Sequence, residues 1–266
     1  MTDLLNSATA SARAFVSISI DADAISPNSD GSPQQSDAVQ SVIAELLSRC
    51  SQQQMPTTWA FRNPSATAAR RITDSGPGHE LALLSEATLA KADLSRGDVM
   101  QAVVRPLQAA AEAGQSITTL AVPYAWQPQH IDLLTKYGLT VIRTPHVFSS
   151  HTTTGIRAVC YGLWQVPVSA VLHNSRWMAN FGQWRCMRRA IDQTVLQGGW
   201  CHLRIDAASI ARGDAACGLR TVGRLFQYLY QLRTGGQIVL ETLRGTATRL
   251  APKRAVAAAQ SILRAA

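Results

Sequence analysis

The chain has 266 residues, enough for one large domain with a continuous core. Its residues are 46% hydrophobic and 16% charged, a composition that excludes a disordered chain. A formal charge of +8 is compatible with an anionic partner, but the basic residues occur singly or in pairs, so nucleic acid is not expected to be the main partner.

The N-terminal segment carries no signal for export or membrane insertion. Residues 1–13 have an acidic residue before any basic one and no apolar h-region, so we predict an N-terminal extension and a cytoplasmic protein. No run approaches the roughly twenty apolar residues that a membrane span needs. Five widely spaced cysteines without a C-x-x-C pair indicate neither a disulfide framework nor a zinc knuckle.

Short apolar runs alternate with longer segments of helical periodicity along the chain. The predicted strands are Phe15–Ile20, Thr57–Phe61, Glu80–Leu84, Ile117–Val122, Thr140–Arg143, Gly162–Val166, Trp200–Ile205 and Gln237–Leu243. The predicted helices are Ser36–Gln54, Asp98–Ala113, Gln129–Tyr137, Asn180–Gln197, Leu219–Arg233 and Arg254–Ala265. Gly114, Gly138 and Gly235 follow three of these helices, where a left-handed cap is wanted. This alternation predicts βαβ units in one barrel-like α/β domain.

Polar residues fall at several predicted strand ends, where parallel barrels place their chemistry. Asp21 and Asp23 end the first strand, and their spacing suits a base and a metal ligand or, equally, a turn or helix-cap pair. Tyr124 follows the fourth strand. His202 lies in an otherwise apolar strand, where it is either a general acid or ligand, or a hydrogen-bonded core residue.

Six segments in this order resemble the polysaccharide deacetylase family, also called the NodB-homology domain or carbohydrate esterase family 4. They are Phe15–Asp23 for its aspartate motif, Pro56–Phe61 for its second strand, Gly78–Leu81 for its histidine motif, Val122–Tyr124 for its proline-tyrosine motif, Ile131–Ile142 for a helix-glycine-strand unit, and Gly199–His202 for its last motif. The resemblance implies a distorted (β/α) barrel with about seven parallel strands over residues 14–245, followed by a C-terminal helix over 246–266.

The resemblance also implies a set of roles for the site. In active members a divalent metal polarises the acetyl carbonyl and activates a bound water. Carried onto this sequence, Asp21 would be the base, Asp23 a metal ligand and His202 the general acid. Tyr124 would supply the backbone amide that stabilises the oxyanion.

Three positions depart from the family pattern. Leu84 and Thr88 stand at the positions where the family has its two metal-binding histidines. Ala121 stands where the family has the arginine that holds the base. Neither Leu nor Thr is a good zinc ligand. A rearranged metal site would use Asp23 with His79 or His146, and His151 follows the same strand as His146.

Two principal hypotheses follow from the resemblance and its departures. The first is a deacetylase-like hydrolase that removes N- or O-acetyl groups from a glycan, using a zinc-like divalent metal. The alternative is an inactive deacetylase-like scaffold, without a metal, that binds a saccharide, a partner protein or a second copy of itself. A third hypothesis, an anion or nucleic-acid binder driven by the +8 charge, predicts steep salt dependence of binding.

Overall fold

A computed structural model describes residues 14–23, 33–64, 67–76, 78–86, 89, 93–124, 129–145, 155–173 and 180–251. The strands are β1 (Ala14–Asp21), β2 (Thr57–Phe61), β3 (His79–Leu84), β4 (Thr119–Ala121), β5 (Val141–Thr144), β6 (Arg157–Ala158), β7 (Trp164–Pro167), β8 (Ala170–Leu172), β9 (Gly199–Asp206) and β10 (Ile238–Glu241). The helices are α1 (Pro33–Gln52), α2 (Thr67–Asp74), α3 (Arg96–Val99), α4 (Arg105–Glu112), α5 (Ile131–Lys136), α6 (Asn180–Gln197), α7 (Ala207–Arg212), α8 (Ala215–Thr234) and α9 (Leu243–Leu250). A π-helical turn, Met100–Val104, joins α3 to α4.

The strands form one mostly parallel sheet. Its order is β6-β7-β5-β4-β3-β2-β1-β9-β8, and β10 pairs with the start of β1. Among the described strand pairs, only β6 and β7 run antiparallel. The helices between the parallel strands are the crossovers that such pairing requires.

Alternation along β1 shows how the sheet separates its two faces. Val16, Ile18 and Ile20 are buried in the main apolar cluster, which includes residues of α1 and α8. The intervening Ser19 and Asp21 hydrogen-bond to side chains from other strands. The outer face of the sheet therefore carries the apolar core under the helices, and the inner face carries polar groups.

One contact across the inner face shows that the sheet is curled. Arg143 of β5 reaches Asp21 of β1, although β4, β3 and β2 lie between these two strands in the sheet. In a flat sheet, four strand spacings would separate the two backbones by roughly 19 Å. The contact therefore requires the half-barrel curvature that the sequence predicts.

Helix α9 covers the amino ends of the strands. Its Leu243 and Ala247 pack against Val141 and Val166 on the inner face of β5 and β7. The carboxylate of Glu80 accepts a hydrogen bond from the backbone N–H of Arg244 in the first turn of α9. Helix α9 crosses the predicted boundary between residues 245 and 246, so its packing continues the barrel past that point.

All eight predicted strands are present, and β6 and β8 are additional. Gly114 and Gly138 have φ values of +76° and +82° after their helices, as predicted, whereas Gly235 has φ −74° and Gly236 takes the positive φ of +71°. The helix predicted over Ser36–Gln54 begins three residues earlier, as α1 starts at Pro33. The predicted helix Arg254–Ala265 lies outside the described residues. No described helix has the length and apolarity to cross a membrane.

Candidate functional site

A cavity of about 460 Å³ lies at the carboxyl ends of β1, β2, β3, β4 and β9. Its lining residues are Asp21, Asp23, Arg62, Leu84, Ser85, Pro123, Tyr124, Arg204, Asp206, Ala208 and Arg212. The structure thus brings together three of the residues that the sequence singled out, Asp21, Asp23 and Tyr124. It also adds arginines at positions where the sequence reasoning placed no functional residue.

Asp21 is enclosed by two arginines at the floor of this cavity. Arg143 forms a bidentate contact with the carboxylate, with its Nη2 donating to Oδ2 at 3.1 Å. Arg204 donates from Nε to the same Oδ2 at 2.6 Å. Burial by itself raises the pKa of the Asp21 carboxyl, but the two guanidinium charges outweigh it and hold that pKa below its ordinary value. Asp21 is therefore an ionised carboxylate with little basicity.

Arg143 occupies the place that the expected arginine would have taken. The sequence showed Ala121 at that position on β4, and Ala121 pairs in register with Arg143 on the neighbouring strand β5. Arg143 is completely buried and also donates from Nη1 to Ser19 Oγ at 2.9 Å. The aspartate thus keeps an arginine partner, supplied from the adjacent strand.

Asp23 is paired with the residue that follows β2. Its Oδ1 accepts the backbone N–H of Arg62 at 3.2 Å, and its Oδ2 lies 2.6 Å from Arg62 Nε. Burial raises the pKa of the Asp23 carboxyl, and the contacts with Arg62 only partly oppose this effect. Both carboxylates predicted to serve the chemistry are therefore already in contact with a guanidinium group.

This donor set does not fit a zinc-like metal. Leu84 stands where the first histidine ligand was expected, lines the cavity and is 6% exposed. Within the described ranges, no three His, Cys, Asp or Glu residues lie close enough to hold a metal ion. Thr88, His146 and His151 lie outside the described residues. Since zinc sites use three or four protein ligands, the described part of the cavity offers too few.

His79 does not lie near Asp23. It begins β3 and pairs in register with Thr57, at the amino end of the sheet, whereas the cavity lies five residues further along at Leu84. Five strand residues span about 16 Å. The ring of His79 packs edge-on against Trp59 with 6.1 Å between centroids, and burial lowers its pKa. The structure therefore does not bring the proposed ligand pair together.

His202 is buried in the inner face of the sheet and does not line the cavity. It is 0% exposed; its Nδ1 lies 2.7 Å from Ser17 Oγ and its Nε2 lies 3.0 Å from Ser19 Oγ. Burial, reinforced by the charge of Arg143, lowers its pKa to about 3. The ring is therefore neutral at physiological pH and bound on both sides. This placement matches the core-residue alternative and gives the general-acid role no support.

Arg204 and Asp206 also line the cavity, and the sequence analysis did not single them out. They lie two residues apart on β9, so both side chains are on the same face of the strand, the one inside the barrel. Asp206 caps α7 by accepting the backbone N–H of Ser209 at 2.8 Å. Their spacing from His202 was visible in the sequence, but their contacts depend on β9 lying beside β1.

Comparisons with known proteins identify the fold. No family model matches the sequence, and no curated protein matches it. A putative polysaccharide deacetylase from Mycobacterium smegmatis matches with 18% identity and a TM-score of 0.62, over 87% of this chain and 94% of that one. A probable polysaccharide deacetylase from Pseudomonas aeruginosa PAO1 matches with 11% identity and a TM-score of 0.64, over 90% and 91% of the two chains.

An allantoinase, PuuE, is as similar in shape as the deacetylases. It matches with 11% identity and a TM-score of 0.63, over 90% of this chain and 91% of that one. Proteins named for different substrates therefore share this backbone, and at these identities the likeness concerns the fold alone. The chain has the distorted (β/α) barrel fold of polysaccharide deacetylases.

Proposed function

We propose that the protein is a polysaccharide deacetylase-like protein whose cavity binds an acetylated saccharide without a resident metal. The observation that carries the proposal is that an apolar side chain stands where a metal ligand was expected, while guanidinium groups engage both aspartates at the carboxyl ends of the strands. Leu84 occupies the expected ligand position, and Arg62, Arg143 and Arg204 contact the two aspartates. Binding, rather than metal-assisted hydrolysis, is the chemistry that this lining supports.

The lining suits a ligand with many hydroxyl groups. A sugar hydroxyl both donates and accepts hydrogen bonds, and the cavity offers acceptors and donors side by side. Asp23 and Asp206 provide carboxylate oxygens, while Arg62 and Arg212 provide N–H donors. A volume of about 460 Å³ lies in the range of small-ligand sites and accommodates one or two sugar rings.

Hydrolysis of the acetyl group is a second candidate function. Its support is the raised pKa of the Asp23 carboxyl, since a carboxylate of higher basicity takes a proton from water more readily. Asp21 is less suited to that task because its two arginines lower its pKa. If the protein hydrolyses its ligand, Asp23 is the expected base.

Calorimetric titration with N-acetylated and de-N-acetylated forms of the same oligosaccharides tests the binding proposal. We expect the acetylated form to bind and Ala208→Trp, which fills the cavity from α7, to abolish binding. Ala216→Trp, at an exposed position on α8, is the matched control and should bind as the wild type does. Failure of every acetylated oligosaccharide to bind would overturn the proposal.

Acetate release distinguishes the two candidate functions. The wild-type protein is incubated with the same oligosaccharides, without metal and with Zn²⁺, Co²⁺ or Mn²⁺. We expect no acetate under any of these conditions. Release of acetate that Asp23→Asn abolishes would establish the second candidate instead.

A further inference from the structure

The cavity brings guanidinium and carboxylate groups together in equal numbers, but the two kinds of group are not all paired with each other. Three carboxylates line it, those of Asp21, Asp23 and Asp206. Arg62, Arg204 and Arg212 line it too, and the fully buried Arg143 contacts Asp21 from below. Glu86, which lines an adjoining cavity together with Arg62 and Leu84 and helps to raise the pKa of the Asp23 carboxyl, is a fourth carboxylate, so four guanidinium groups face four carboxylates among the described residues.

Arg212 is the guanidinium of this set that none of these carboxylates engages. The guanidiniums of Arg143 and Arg204 are engaged by Asp21, and that of Arg62 by Asp23. Arg212 ends α7 with an exposed side chain and has no acidic partner within the described ranges. It is therefore the guanidinium at this cavity with the greatest capacity to bind an anion.

Ser85 provides a second and independent indication of a ligand. This residue follows β3, and its backbone N–H donates to the carbonyl of Ala121 at 2.9 Å, which fixes its position at the cavity wall. Its side chain is completely buried, yet its Oγ has no hydrogen-bond partner among the described residues. Buried hydroxyls are nearly always satisfied, so an unpartnered one in a cavity wall indicates a polar group of a ligand.

We infer that the cavity selects an acidic saccharide, with a sugar carboxylate bound by Arg212 and the Ser85 hydroxyl directed at a polar group of the same ligand. This inference rests on the proposed function, since it specifies the class of saccharide bound. The terminal nitrogens of Arg62, which have no partner among the described residues, lie at the same cavity and add to its attraction for an anion. A planar guanidinium matches a carboxylate in a bidentate arrangement, which makes uronic acids the best-fitting class.

A matched pair of ligands tests the inference. The first is an acetylated oligosaccharide that contains a uronic acid, and the second is the same oligosaccharide with its carboxyl reduced to a primary alcohol. In calorimetric titrations we expect the acidic form to bind about tenfold more tightly, as a charge-assisted hydrogen bond requires. Raising the salt concentration should reduce this preference, because the arginine is exposed.

Arg212→Gln assigns the preference to one residue. We expect this variant to bind the acidic and the reduced oligosaccharide with nearly equal affinity, and so to lose the roughly tenfold preference. Arg220→Gln, which removes an exposed arginine of α8 outside the cavity lining, should leave the preference intact.

The possible outcomes separate the inference from the proposed function. Equal wild-type affinity for the two forms, or a preference that survives in Arg212→Gln, overturns the inference and leaves saccharide binding standing. If neither form binds, the proposed function is overturned, and the inference falls with it.

Discussion

The two ends of the barrel each hold a buried carboxylate, but they stabilise it in different ways. At the carboxyl end, Asp21 lies between two guanidinium groups, and its pKa is lowered. At the amino end, Glu80 accepts hydrogen bonds from neutral donors, and burial raises its pKa. Positively charged groups stabilise the Asp21 carboxylate, whereas only neutral hydrogen-bond donors stabilise the Glu80 carboxylate.

The partners of Glu80 explain its role. It accepts from Thr58 Oγ1 at 3.0 Å, from the hydroxyl of Thr119, and from the backbone N–H of Arg244 at 2.8 Å. The last of these belongs to the first turn of α9, where a negative group is favoured by the helix dipole. Glu80 thus attaches the covering helix to the sheet.

This difference separates an end that carries a cavity from an end that has a structural role. The carboxyl end keeps one guanidinium, that of Arg212, without an acidic partner among the described residues beside an open cavity, whereas the amino end uses its carboxylate to fix a helix. The histidine and glutamate that sequence reasoning took from one motif, His79 and Glu80, both lie at the structural end. The contrast predicts different responses to removing charge at each end.

Arg143→Met should give the largest effect. It leaves Asp21 buried with one of its two arginines, and we expect a loss of about 3–5 kcal/mol in the free energy of unfolding, measured by urea denaturation. Adding Asp21→Asn should restore part of that loss, because the uncompensated charge is then removed. Arg96→Met, which breaks an exposed ion pair with Asp132, is the control and should barely change stability. If Arg143→Met alone is as stable as Arg96→Met, the charge of Arg143 does not stabilise the buried Asp21 carboxylate.

Glu80→Gln should have a smaller effect at the other end. The amide places donors against the donors that the carboxylate satisfied, and we expect a loss of about 1–3 kcal/mol in the free energy of unfolding. The amide hydrogens of α9 should exchange faster with solvent than in the wild type. Glu112→Gln, at an exposed position of α4, is the control. Unchanged exchange in α9 would mean that Glu80 does not attach the helix.

His202 lies between the two ends of the barrel, and its titration should make the free energy of unfolding depend on pH. Its pKa is about 3 in the folded chain and 6.5 for an unperturbed histidine, so below pH 6.5 only the unfolded chain takes up its proton. The free energy of unfolding should therefore fall by up to about 1.4 kcal/mol for each pH unit as pH drops from 6.5.

The contribution of His202 can be isolated by comparing the wild type with a His202 variant, because the raised pKa values of the Asp23 and Glu80 carboxyls act in both proteins alike. Unfolding measured from pH 4.5 to 7.5 should show a shallower pH dependence for His202→Gln than for the wild type. His79, whose pKa is also lowered by burial, contributes to the remaining slope, and the raised pKa values of the Asp23 and Glu80 carboxyls oppose it. An unaltered slope in His202→Gln would show that the buried ring is not kept neutral.

The sequence was sufficient for the fold because its signals were local and ordered. The predicted strand Phe15–Ile20 lies within β1, and the prediction Thr57–Phe61 matches β2 residue for residue. Strands β6 and β8 have two and three residues, too few for a periodic pattern. Helix α7 was missed for the same reason, although Asp206 supplies its cap.

The site was predicted only in part because its contacts join strands that are distant in sequence. The positions of Asp21, Asp23 and Tyr124 followed from motifs, and all three line the cavity. Arg143 could not be foreseen as the partner of Asp21, because the contact depends on the curl of the whole sheet. A charged residue within the otherwise apolar run of β5 was the one available signal.

The pairing of β10 with β1 has a consequence for how the chain is made. Ala14 lies beside Ile238, and β10 leads directly into the helix that covers the barrel. During synthesis, the start of β1 cannot pair with β10 until residues 238–241 have left the ribosome. Contacts between such distant segments slow folding. The barrel is therefore completed late. A chain truncated before Ile238 lacks β10 and α9, so its sheet has an uncovered inner face and an unpaired edge at the start of β1. Such surfaces promote aggregation.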